Sequence, residues 1–223
     1  GFPEYRTWPE GRRELLTAIT RIEPFDRMNA RAIGYDMFSE PVRREAMARA
    51  RDSGRAALSG KVTLVQELPT NVQAGTLLYL PVYRRGMPID SVEQRRAAIL
   101  GWVYAPFRIG DLMSSLEAGR YRDIDVSLYD GEQASPASCL YGCAAGGEAR
   151  AGLAATSTVR IAGRPWVIDM RAAPAFMARA GSDSAWMIAA GGTFASVLLA
   201  LLVWLLGSSR QRALALATRM TAE

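Results

Sequence analysis

"GYDMFSEPVRREAMARARDSGRAALSGKVTLVQE", residues 34–67, carries the densest structural punctuation in the chain. Ser39 reads as a helix N-cap, Pro41 as a first-turn residue and Gly54 as the stop. Between them Val42, Ala46 and Ala50 recur every four residues as a narrow apolar face, and Glu45 and Arg49 are spaced to pair across one turn. The run that follows, "AALSGKVTLVQE", has the composition and alternation of a strand. A helix feeding a strand in this way predicts an α+β unit.

The same pattern extends outward in both directions. Upstream, "LLTAITRIEP" (15–24) and "ARAIGYDMFS" (30–39) alternate as two strands. Downstream, "GTLLYLPVYRR" (75–85) and "AAILGWVYAPFR" (97–108) read as strands separated by loops at 68–74 and 86–95. "IGDLMSSLEAG" (109–119) is a short helix. A smaller set of strands then follows in "IDVSLYDG" (124–131), "ASCLYG" (137–142), "STVRIAG" (157–163) and "PWVIDMRAA" (165–173). The break between Glu117 and Asp123 divides the outer region into units spanning 1–118 and 119–180.

Residues 185–207 contain no charged side chain. At about 1.5 Å per residue, such a helix crosses a hydrocarbon core of roughly 30 Å. Trp186 and Trp204 mark its ends, and Arg210, Arg212 and Arg219 follow, which places the C-terminus in the cytoplasm and residues 1–180 outside. The expected location is a bacterial inner membrane, with the bulk of the chain in the periplasm. Residues 208–223 read as the start of a cytoplasmic helix able to pair with a twin in a homodimer. The chain begins Gly1-Phe2-Pro3 and ends inside a helical pattern, so it is expected to be an interior segment of a longer protein.

Composition narrows the chemistry. The formal charge is +5, but Lys61 is the only lysine and the acids are interspersed with the arginines, so no nucleic-acid face is expected. With no histidine, the usual general base, the commonest metal ligand and any phosphoacceptor histidine are missing from this sequence. No catalytic residue, metal site or cofactor is expected. An enzyme would have to work with carboxylates such as Asp36, Glu45 or Asp111, and nothing in the pattern puts two of them together. A ligand-free interaction module is the other alternative. Cys139 and Cys143 fit equally a local disulfide, if a turn brings their Cα atoms within about 7 Å, and two free thiols.

The opening stretch, with "LLYLPVY" and "GWVYAPFR" after it, resembles a CHASE domain, the extracellular sensing module of transmembrane receptors that include the plant cytokinin receptors. The resemblance runs over residues 5–180. It implies tandem PAS-like antiparallel-sheet units, a small-molecule pocket in the membrane-distal one, and a following span that leads to histidine kinase or diguanylate cyclase machinery. It also maps a pocket onto this sequence. Met37 falls on a pocket methionine and Ser59 on a threonine needed for ligand response. Val65 falls on a residue whose backbone meets the ligand, and Ala105 on a small residue of the floor. Two positions depart: Arg43 stands where those receptors have an adenine-binding aspartate, and Tyr79 where they have a small hydroxyl residue. Both argue against a cytokinin, and Arg43 suits an anionic ligand, since its planar fork can hold two oxygens.

Overall fold

The computed structural model describes residues 5–67, 72–117, 123–143, 153–174, 176 and 183–220. Two compact units result, Gly1–Ala173 and Pro174–Glu223. The first is built around helix α1, Pro41–Ser53. Its N-cap is Glu40, one residue later than the sequence suggests. Proline at the first position has no N–H to satisfy, so the free donors are Val42 and Arg43. Both reach the Glu40 carboxylate, at 3.1 and 2.8 Å. Ser39 instead ends a 3-10 turn, Met37–Ser39, and donates to the carbonyl of Asp36 at 2.6 Å. Gly54 stops the helix at φ 70°, its N–H bonded to Ala50, and Arg49 pairs with Glu45 at 3.3 Å, as expected. The buried stripe is Arg43, Ala46, Met47 and Ala50, wider than the alanine face alone and with an arginine inside it.

Three antiparallel strands lie beside α1 in the order β1 (Ala57–Leu58), β2 (Gly75–Tyr83), β3 (Ile99–Arg108). β1 is far shorter than its sequence run. Ser59 Nα donates to Leu77 and the Ser59 hydroxyl accepts the Leu77 N–H at 2.9 Å, so a side chain replaces the next rung of the ladder. Of the remainder, only Val62 bridges, to Gly75. Helix α2, Val92–Ala98, occupies part of a segment expected to be loop. Ser91 and Gln94 form a reciprocal capping box there, a signature present in the sequence.

Residues 15–24 and 30–39 are not strands. They make only the isolated bridges Trp8 to Tyr35 and Ala18 to Asp36. The cause is Asp36, which is fully buried. Its carboxylate accepts from Thr17 N at 3.0 Å, Thr17 Oγ1 at 2.9 Å and Phe38 N at 3.2 Å, and pairs with Arg13 at 3.0 Å. Donors that a sheet ladder would use are thereby committed to one side chain. Gly34 permits the close approach beneath it: φ is +81°, and a Cβ would sit 1.9 Å from the Arg6 carbonyl oxygen.

After α3 (Ile109–Glu117), a second sheet is formed by β4 (Ile124–Asp130), β5 (Cys139–Tyr141), β6 (Ala154–Ile161) and β7 (Arg164–Ala172), in the order β5-β4-β7-β6. Ala162 and Gly163, both at positive φ, make the two-residue turn between β6 and β7. Cys139 and Cys143 form a disulfide, with Cα atoms 6.0 Å apart. The apolar core has two parts. One joins α1 to β2 and the N-terminal segment through Ile19, Met37, Met47, Leu77 and Tyr79; the other joins Leu58 and Ile109 to Leu128, Leu140 and Trp166. The α+β class with antiparallel sheets follows the expectation, whereas the expected break between Glu117 and Asp123 falls on residues 118–122, outside the described residues.

In the second unit, α4 spans Asp183–Met220. Its segment Trp186–Gly207 has 22 residues, a mean hydropathy of 2.2 and no burial within the chain. That length corresponds to about 33 Å, enough to cross a bilayer.

Asp52, in the last turn of α1, is held by Arg96 through two contacts of 2.6 and 3.0 Å and by Arg51 at 2.8 Å. The Arg96 hydrogen bonds, with Arg51 assisting against desolvation, keep its carboxyl well below the usual range. A depressed carboxylate stabilises the fold above its unfolded-state value near 3.8 and loses that contribution as pH falls through the folded one. Asp52→Asn should therefore lower the melting temperature at neutral pH and flatten its decline below about pH 4. For Asp36→Ala, which orphans Arg13 and several buried donors, chemical denaturation should show a loss of about 3 kcal/mol.

Candidate functional site

Tyr79 projects from β2 opposite Tyr104 of β3, their rings 6.2 Å apart. Pairing in antiparallel register puts directly opposed side chains on one face, so Leu77, Tyr79, Trp102 and Tyr104 all turn toward α1. Trp102 Nε1 donates to the Met47 carbonyl at 2.9 Å, tying β3 to the helix. The Tyr79 hydroxyl points at Met37 Sδ, 3.6 Å away. Between this floor and the segment 15–24 lies a cleft of about 1090 Å³, with Ile99–Tyr104 along its other side. Met37, Met47, Tyr79, Trp102 and Tyr104 all line it.

The floor is apolar apart from the two tyrosine hydroxyls. Burial pushes the Tyr79 phenol far above its ordinary value and that of Tyr104 up to about 12, against the opposing field of Arg43. Both therefore stay protonated at any physiological pH. Tyr104 Oη is buried without a hydrogen-bond partner among the described residues. A buried hydroxyl left in this way favours an acceptor brought by something else.

Arg43 stands behind this floor and does not line the cleft. Only 3% exposed, it donates to the Thr63 carbonyl at 2.8 Å and stacks 4.8 Å over the Tyr35 ring. Its Nε has no partner, and among the described residues no carboxylate lies within ion-pair distance of it. The charge is compensated only by a carbonyl and a π-face, which is incomplete for a buried cation.

The other sequence-derived positions are separated from this group. Ser59 is fully buried, its hydroxyl spent on Leu77 N and Gly60 O. Val65 packs against the first core beyond the cleft. Ala105 opposes Leu78, which places it on the other face of the sheet from Tyr79. Of the six, the structure brings Met37 and Tyr79 into the cleft and Arg43 to its rear. It adds Met47, Trp102, Tyr104 and the segment 15–24. Tyr104 and Trp102 were findable, because an antiparallel hairpin fixes which residues share the face of Tyr79. The segment 15–24 was not, because its apolar alternation has the period of a strand.

The carboxylates that an enzyme would need are each engaged elsewhere. Asp36 is the buried staple, Glu45 pairs with arginines on the surface of α1, and Asp111 binds Gln73 and Arg108. Among the described residues, no three acidic or cysteine side chains gather where they could hold a metal ion.

Two relatives place this architecture in context. Over 110 residues, 48% of the chain, it is 36% identical to a protein of Oryza sativa subsp. japonica named probable histidine kinase 6, of which the match covers 11%. Over 161 residues, 62% of the chain, it is 25% identical to hybrid signal transduction histidine kinase A of Dictyostelium discoideum, covering 8% of that protein. The chain thus corresponds to about a tenth of the length of these relatives. The family model of the CHASE domain matches residues 1–141. With more than half its length inside that match and a cleft on the sheet within it, this chain belongs to the CHASE domain family.

Proposed function

We propose that the chain is the sensing module of a transmembrane receptor: residues up to 180 lie on the outer face of a bacterial inner membrane, bind a small anion in the cleft, and pass the change through α4 to a cytoplasmic output. The two sheets are then the tandem PAS-like units, divided near residue 118, and the receptor works as a homodimer. Relatives named as histidine kinases support a kinase output, with a cyclase as the alternative.

The observation that carries the reading is the cleft itself, floored by Met37, Tyr79 and Tyr104 with Arg43 behind them. A cleft of this size, with an aromatic and methionine floor and polar groups along its walls, has the character of a small-molecule site. Arg43 gives that site its charge preference. A cation without a carboxylate partner, close enough to oppose the upward shift of both tyrosines, also projects its field into the cleft. The free Tyr104 hydroxyl supplies a donor for an oxygen of the ligand. A neutral purine gains nothing from that field, and the fully buried Tyr79 occupies space a larger ring would need.

Signalling follows from differential affinity. A ligand that prefers one spacing of the segment 15–24 against β3 shifts the receptor toward the state with that spacing. The apolar span Trp186–Gly207 is followed by Arg210, Arg212 and Arg219 and preceded as closely by only Arg171 and Arg179, and this excess on the C-terminal side supports an outside-to-inside orientation.

Two measurements test this. In a thermal-shift screen of carboxylate and phosphate metabolites, hits should raise the melting temperature of the wild type. They should bind Tyr104→Phe about tenfold more weakly and Arg43→Gln more weakly still. Equal shifts in all three proteins would remove both residues from the site. Reporter fusions should report residues 1 and 223 in opposite compartments, and the same compartment for both would end the membrane reading.

A further inference from the structure

Arg164 opens β7, the strand whose chain leads on toward α4. Its guanidinium grips Asp130, the last residue of β4, with two parallel contacts of 2.7 Å. Asp130 also accepts the Lys61 N–H at 2.9 Å, just beyond β1. Gly60 makes room for the clasp: a Cβ there would sit 2.7 Å from Arg164 Nη2 and 3.1 Å from Asp130 Oδ2. The second sheet is thus pinned to the segment after β1, and Leu58 N bonding Ala162 O at 3.2 Å adds a second attachment.

One nitrogen of Arg164 is left over. Nη1 lies 3.7 Å from Glu45 Oε2 on α1. The other oxygen of Glu45 lies 3.3 Å from Arg49 Nη1, and Arg49 is anchored in turn to the Leu58 carbonyl at 2.6 Å. Glu45 is therefore shared between an arginine on its own helix and an arginine on the second sheet, and neither contact is at the short distance of a fully formed charge-assisted bond. The fold does not need the longer arm, because the Asp130 fork already fixes Arg164. Two residues after Glu45 is Met47, a wall of the cleft.

We propose that Arg164 is a positioning residue for signal transfer. A small displacement of α1 carries Glu45, with Arg49 travelling beside it, toward or away from Arg164, and so tightens or releases the contact at the start of β7. The two arrangements form a two-state element whose balance both the cleft and β7 bias. The inference rests on α1 being displaced from the cleft, but not on the chemical class of the ligand.

Hydrogen exchange read by mass spectrometry on the full chain in nanodiscs tests it without a ligand. Met47→Ala, which loosens α1 from the cleft side, should raise exchange of the β7 amides about fivefold. In a Glu45→Gln background, which keeps the Asp130 fork, the same change should leave β7 nearly unaffected while α1 still loosens. Arg49→Gln, which also gives up the bond to the Leu58 carbonyl, should increase β7 protection by releasing Glu45 to Arg164. That gain should vanish in the Arg49→Gln/Glu45→Gln double variant. If β7 responds equally with and without Glu45, or if neither Met47→Ala nor Arg49→Gln alters it, the clasp is only structural. Failure of every anion to bind would sink the preceding proposal and leave this result standing.

Discussion

A single buried carboxylate organises the sensing half of this molecule. Asp36 takes up the Thr17 backbone and hydroxyl, the Phe38 N–H and the Arg13 guanidinium, with no exposure to solvent. The segment before α1 is held by these side-chain bonds together with a few backbone bonds, among them Ile19 N to the Tyr35 carbonyl and Asp36 N to the Trp8 carbonyl, which do not extend into a ladder. Because that segment stands apart from β3 without pairing to it, a cleft remains between them. Had the same residues formed a strand against the edge of β3, the ladder would have closed that space, since paired strands lie only about 4.8 Å apart.

The sequence was most informative where structure is local. Helix α1, with its glycine stop and Glu45–Arg49 pair, strands β2 and β3, helix α3 and the four strands of the second sheet all announce themselves by period and punctuation. It misled where a side chain competes with the backbone. Asp36 turns two alternating runs into irregular chain, Ser59 cuts β1 to two residues, and Glu40 displaces Ser39 as the cap. In the first two cases side chains take donors that the alternating pattern assigns to a ladder, and in the third one polar side chain displaces its neighbour at the helix start. Helix α2 is the converse, a capping box present in the sequence and passed over as loop.

The site was legible in part for the same reason. Positions on one face of a hairpin can be inferred from register, so Tyr79 leads to Tyr104 and Trp102. Which cavity they face depends on a non-local wall, 15–24, that no periodicity predicts. Arg43 shows the limit most clearly. Four arginines on one short helix read as a solvated surface, yet Arg43 lies at the same angle as Ala46, Met47 and Ala50 and is drawn into the core with its charge incompletely met. Burial of such a group is costly, and its retention is easier to understand if the site uses it.

The irregular wall has a consequence for how the lining of this cleft can vary. Residues 15–24 owe their position to anchors outside the stretch that faces the cavity, with Asp36 and Arg13 as the chief attachments. Exchanges at Leu16, Thr20 or Arg21 would reshape what fits while leaving the sheet and its packing intact. The architecture thereby separates the residues that set the lining of the cleft from those that pack the core between α1 and β2, so the one can vary without the other.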